Sequence, residues 1–113
     1  MKILLLESNE DVREILGVML GRMGHEIVAP GSVTDALKAV EFGALEFEVL
    51  IVEERYPEIS GVELTVAAKW RNENLRCVLV TADSRTETVR HLSKYGNVLL
   101  KPFGVEDLRS VLL

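Results

Sequence analysis

The sequence predicts a doubly wound α/β fold, a single parallel sheet of five strands with helices on both faces. Five short apolar runs alternate with segments whose apolar residues recur at three- and four-residue spacing. One of those runs, Val49 to Val52, has no polar alternation and is β-branched at Val49, Ile51 and Val52. Such a strand is buried on both faces, as happens in a parallel sheet covered by right-handed crossover helices.

The elements follow in order. Lys2 to Leu6 reads as the first strand, closed by Glu7-Ser8-Asn9. Ser8-x-x-Asp11 has the spacing of a helix cap, and Val12, Ile15, Leu16, Met19, Leu20 and Met23 form one apolar stripe that ends at Gly24. His25 to Ala29 reads as a second strand on the surface, broken by Pro30-Gly31; Ser32-x-x-Asp35 then caps a helix with Ala36, Leu37 and Val40 inward, stopping at Gly43. The third strand ends at Glu53, and Pro57 follows four residues later. Ser60-Gly61-Val62-Glu63 opens a helix to about Trp70, with Leu64, Ala67 and Ala68 as core positions and Trp70 packed near its end.

A polar connection over residues 71 to 75 leads to a fourth strand, Arg76 to Val80, followed by Thr81-Ala82-Asp83. Ser84-x-x-Glu87 repeats the capping pattern, but the helix it opens has only Val89 and Leu92 as clear core residues before Tyr95-Gly96. That helix is expected to be the least firmly held. Asn97 to Leu100 is the fifth strand, closed by Lys101-Pro102-Phe103-Gly104, and Val105 to Leu113 is a last helix carrying Leu108, Val111 and Leu112.

With 113 residues and 48% hydrophobic content the chain fits one domain, 1–113, able to bury a core without disulfides. A net charge of -5 with 13 dispersed basic residues argues against nucleic-acid binding by this domain alone. The lone Cys77 lies in an apolar run and reads as a small buried hydrophobe in a reducing cytoplasm. The apolar run after Met1-Lys2 is four residues long, too short for a signal segment or a membrane span. These features predict a soluble cytoplasmic protein without membrane association.

In an open α/β sheet, ligands bind at the carboxyl ends of the strands. There the sequence places Glu7 and Ser8, Glu53, Thr81 and Lys101 on one edge. Two carboxylates, a hydroxyl and an ammonium could bind a cation, a phosphate, or one another. The first loop, Glu7 to Asp11, is acidic and has no glycine-rich phosphate cradle, which argues against a flavin or nucleotide.

In these residues the chain resembles the receiver domain of two-component response regulators. The matching segments are Lys2 to Glu7 with Val12-Arg13-Glu14, Val49 to Gly61 with its Pro57 and Gly61, Val78 to Ala82, and Leu100-Lys101-Pro102-Phe103. The resemblance spans essentially the whole chain and implies the flavodoxin-like fold with strand order 2-1-3-4-5. It implies that a histidine kinase passes a phosphoryl group to an aspartate at the position of Glu53. It further implies Mg²⁺ held by Glu7, by the residue at 53, by the Arg55 backbone carbonyl and by an acid at position 8. Thr81 and Lys101 would bind the product phosphate. The fourth helix, fifth strand and fifth helix would form the interaction face, with His91, Lys94, Tyr95, Val98 and Arg109 as candidates.

Several positions depart from that pattern. Glutamate stands where the acceptor aspartate is expected, and its carboxylate lies about one carbon-carbon bond further out; a misplacement of ~1 Å can cost on the order of a hundredfold in rate. Ser8 offers Mg²⁺ no charge, although that ion demands near-octahedral oxygen ligands. The connection from Gly96 to Lys101 is short, and Val98 replaces the usual aromatic. The longer arm of Glu53 is expected to reach Lys101 and Thr81. Taken together, these departures predict a degenerate, non-enzymatic receiver that is not conventionally phosphorylated, has no cofactor and holds Mg²⁺ weakly or not at all. It would act through a protein partner, either a histidine kinase or a downstream effector or output domain, with a homodimer left open. The alternatives are a working phosphoacceptor at Glu53, favoured over Glu54 by its spacing to Pro57, and a small flavodoxin-like ligand-binding domain.

Overall fold

The structure is a computed structural model that describes residues 1–113. Its elements are β1 (Lys2–Leu6), α1 (Glu10–Arg22), β2 (Glu26–Val28), α2 (Val33–Gly43), a 3₁₀ turn (Ala44–Glu46), β3 (Val49–Glu53), α3 (Gly61–Arg71), β4 (Arg76–Thr81), α4 (Thr86–Leu92), β5 (Asn97–Leu100) and α5 (Val105–Leu112). The strands form one parallel sheet in the order β2-β1-β3-β4-β5. No helix is long and apolar enough to cross a membrane.

The two-residue period of a strand sorts its apolar side chains between two cores. Leu4, Leu6, Leu50, Val52 and Leu79 face α2, α3 and α4, where they meet Ala36, Val40, Leu64, Ala68 and Leu92. Their neighbours Ile3, Leu5, Ile51, Val78 and Val80 face α1 and α5, against Leu16, Leu20, Leu108 and Leu112. Both faces are thus covered, which is why the β3 sequence shows no alternation. Cys77 is buried, and burial pushes its thiol up to about 11.

Four local expectations are corrected. Asn9, not Ser8, caps α1, its side chain accepting from the Val12 amide at 3.1 Å. Ile15 is 60% exposed, so the buried stripe of α1 narrows to Leu16 and Leu20 with Val12, Met19 and Met23 half-buried at its flanks. Ser84 does not cap α4: that helix starts at Thr86 after Arg85 with no side-chain cap, and just ahead of it the Asp83 carboxylate accepts the Arg85 amide at 3.0 Å. Trp70 is 87% exposed rather than packed. The buried stripe of α3 runs through Gly61, Leu64, Thr65 and Ala68, and a residue two places past Ala68 is turned by roughly 200° to the opposite face. The Ser32 and Ser60 caps form as expected, each accepting an amide at 3.1 Å.

Candidate functional site

Strand register assembles the site. β1 and β3 pair Leu6 with Val52, so the next residues, Glu7 and Glu53, come level at the carboxyl edge of the sheet. β3 and β4 pair Glu53 with Val80, which sets Glu54 level with Thr81. The Lys101 amide donates to the Thr81 carbonyl at 2.8 Å and brings the end of β5 to the same rim; the Lys101–Pro102 peptide is cis. Glu53, Glu54, Arg55, Thr81, Asp83, Arg85 and Lys101 line an open cavity of about 390 Å³.

Glu7 is 2% exposed, and its carboxylate accepts from the Lys101 ammonium at 3.0 Å and from the Asn9 amide at 3.0 Å. Glu53 turns toward β1 and accepts the Ser8 amide at 2.9 Å. The expected reach of Glu53 to Lys101 and Thr81 is therefore corrected. Lys101 is taken by Glu7, and the Thr81 hydroxyl donates to Glu54 at 2.6 Å while accepting the Asp83 amide at 3.0 Å. Side-chain length does not decide this, because register has already put a different carboxylate next to each group. Behind Thr81, Arg85 binds both oxygens of Asp83, and Thr88 donates to the same carboxylate at 2.8 Å. The Arg85 guanidinium holds the Asp83 carboxyl well below the usual carboxylate range.

The adjoining carboxyls of Glu7 and Glu53 are driven apart. Burial alone would raise Glu7, but hydrogen bonds from Glu53, the Asn9 amide and Lys101 outweigh it and bring Glu7 below its ordinary 4.5. Burial raises Glu53 above 4.5, and the neighbouring Glu7 charge adds to that rise against the opposing Ser8 bonds. A raised carboxyl favours the folded state below 4.5 and opposes it once pH exceeds the folded value. Glu53→Gln is accordingly expected to raise stability near neutral pH, with the gain vanishing in acid. Thermal melts at the two pH values check this.

Among the expected site residues, Glu7, Glu53, Thr81 and Lys101 share the rim with Arg55, whereas Ser8 presents its amide to Glu53. Of the surface candidates, His91 sets its edge against Tyr95 at 5.5 Å between ring centroids. Lys94 is exposed, Val98 is half-buried on β5, and Arg109 pairs with Glu106 at 2.7 Å on α5. The sequence singles out none of Asp83, Arg85 and Asn9 as site or capping groups, and Glu54 only as the less favoured acceptor. Extending the β3–β4 register by one residue is the signal that finds Glu54. No group of three or more His, Cys, Asp or Glu side chains is gathered to hold a metal ion.

The model of the response regulator receiver domain family matches residues 3–113. The chain belongs to this family. A chemotaxis protein CheY homolog of Campylobacter jejuni is 30% identical to this receiver over 121 aligned positions, covering 99% of the chain and 89% of that protein. Among solved structures, a response regulator receiver domain protein from Clostridium thermocellum superposes with a TM-score of 0.87 at 18% identity, covering 98% of the receiver and 90% of that chain. Response regulator TrrA from Thermotoga maritima, in complex with Mg(2+)-BeF, gives 0.82 at 23% identity, covering 98% and 95%. Receiver domains are signalling modules of two-component systems that interact with histidine kinases and output domains.

Proposed function

We propose that this receiver is a degenerate cytoplasmic signalling module that is not conventionally phosphorylated and acts by docking a protein partner, a histidine kinase or an effector or output domain. The observation that carries the reading is the engagement of both product-phosphate groups by the chain's own carboxylates. Lys101 is held by Glu7 and Thr81 by Glu54. An incoming phosphoryl group would have to displace each of them from a carboxylate, and charge-assisted hydrogen bonds of this kind are the stronger ones.

The acceptor position supports the same reading. Glu53 is anchored on the Ser8 amide at 2.9 Å, and its reacting oxygen lies about one bond further from β3 than an aspartate's would. Nor does the donor set fit Mg²⁺: Glu7 is neutralised by Lys101, and Ser8 supplies no charge where that ion needs hard anionic oxygens. Docking would use the α4–β5–α5 face with His91, Lys94, Tyr95, Val98 and Arg109. The rival reading, a working phosphoacceptor at Glu53, draws on the retained Thr81 and Lys101.

Incubation with acetyl phosphate and Mg²⁺, followed by intact-mass analysis, separates the two. The expected result is an unchanged mass for the natural chain. A stoichiometric adduct that survives acid and is lost in base would contradict it.

A further inference from the structure

Outside the strand-end site, the largest side chain left in solvent is Trp70, 87% exposed, with Val66 one turn earlier 53% exposed. Both line a shallow groove of about 340 Å³ between α3 and the turn that follows α4, completed by Thr65, Lys69, Lys94 and Tyr95. α4 ends at Leu92, and the groove lies where the last turns of α3 meet Lys94 and Tyr95 of the turn beyond α4. The Thr65 hydroxyl is turned back to the Gly61 carbonyl at 2.7 Å, away from any outside partner.

Charge points to what would fill it. Both charged residues in the lining, Lys69 and Lys94, are cations in a chain of net charge -5. Lys69 donates only to the backbone carbonyls of Glu73 and Leu75, and Lys94 forms no ion pair. An aromatic platform beside unneutralised ammonium groups matches the composition of interface hot spots, where a buried aromatic anchors and charges steer.

We propose that this groove docks an acidic amphipathic segment of another protein, with a large apolar side chain set against Trp70 and Val66 and carboxylates on Lys94 and Lys69. The proposal deepens the docking-module reading and rests on it, adding a surface on the α3 side of Tyr95 and the chemistry of its occupant. Trp70 is the only tryptophan, so its emission reports the groove directly.

The test uses the full unphosphorylated chain against an unbiased displayed library of short linear peptides. The expected result is enrichment of acidic peptides carrying an aromatic or large aliphatic residue. Synthesised, these peptides blue-shift Trp70 emission and lose affinity as salt rises. Lys94→Glu weakens them by about tenfold or more, and Trp70→Ala abolishes binding without altering the circular dichroism spectrum or the melting temperature. Selected peptides with no acidic bias, peptides indifferent to both substitutions, or an absence of binders would each overturn the groove. Phosphorylation by acetyl phosphate would instead overturn the module's proposed function, so the two failures are read separately.

Discussion

Gly61→Ala is expected to destabilise the receiver by about 3 kcal/mol, a loss seen as a lower urea midpoint with an unchanged denaturant slope. A Cβ built on Gly61 would lie 2.4 Å from the Glu53 carbonyl oxygen and 3.0 Å from the Glu54 Cα. These are backbone atoms at the end of β3, the central strand, and they are pinned by Glu54 donating to the Val80 carbonyl at 2.7 Å and by Gly61 donating to the Glu54 carbonyl at 2.8 Å. Neither side can yield without breaking one of those bonds or displacing Glu53 from the rim. The same substitution at Gly17 is the control. No atom lies within 4 Å of its added Cβ, and an alanine inside α1 is expected to stabilise by roughly 0.5–1 kcal/mol. Opposite signs at the two glycines are the expected outcome. Equal effects would mean that the close approach of α3 to β3 is not a constraint.

Lys101→Met should be the most damaging change at the rim. Glu7 is nearly sealed from solvent, and Lys101 is the cation on its carboxylate, with the Glu53 carboxyl beside it. Breaking a buried pair typically costs 3–5 kcal/mol; because the Lys101 side chain is 32% exposed, about 2 kcal/mol is expected here. The sign with pH follows from Glu7. Its folded value is depressed, so the stability it contributes is present above 4.5 and is lost as pH falls through the folded value. The deficit of Lys101→Met is therefore largest at neutral pH, shrinks on acidification, and closes only below 4.5. Adding Glu53→Gln to this variant removes the second charge and should recover part of the loss. Urea titrations of the single and double variants across that range measure all of this.

The fold was legible because each of its determinants is local or periodic. An unalternating β3, the stripes of α1 and α5, and the serine caps of α2 and α3 can all be counted along the chain. Trp70 is not legible because α3 offers a narrow stripe of mostly small residues, and a nearby tryptophan reads as core by its size although its angle around the helix turns it outward. Ser8 and Ser84 match the cap spacing, but α1 starts one residue later on Asn9, which takes the Val12 amide, and α4 starts at Thr86 with no side-chain cap; loop geometry sets those starts, and sequence spacing does not carry it.

At the site, the identities of Glu7, Glu53, Thr81 and Lys101 were legible from their positions at strand ends, but their pairing was not. Which carboxylate meets which cation depends on the β1–β3 and β3–β4 registers, set by contacts between residues more than twenty positions apart. Glu54 shows this most plainly. Sequence spacing offers it only as an acceptor, yet a one-residue step in register makes it the partner of Thr81.

In the proposed function the receiver frame is intact, while Glu53 and Ser8 have emptied its chemistry and its own carboxylates occupy the phosphate's partners. The most direct measurement is a titration of backbone amide shifts with Mg²⁺, with and without beryllofluoride, on the natural chain and on a Ser8→Asp, Glu53→Asp double variant. The expected result is no saturable response around Glu7, Glu53, Thr81 and Lys101 in the natural chain, and a restored response in the double variant. Saturable Mg²⁺ binding by the natural chain, strengthened by beryllofluoride, would contradict the account and show that the site still takes a phosphoryl group.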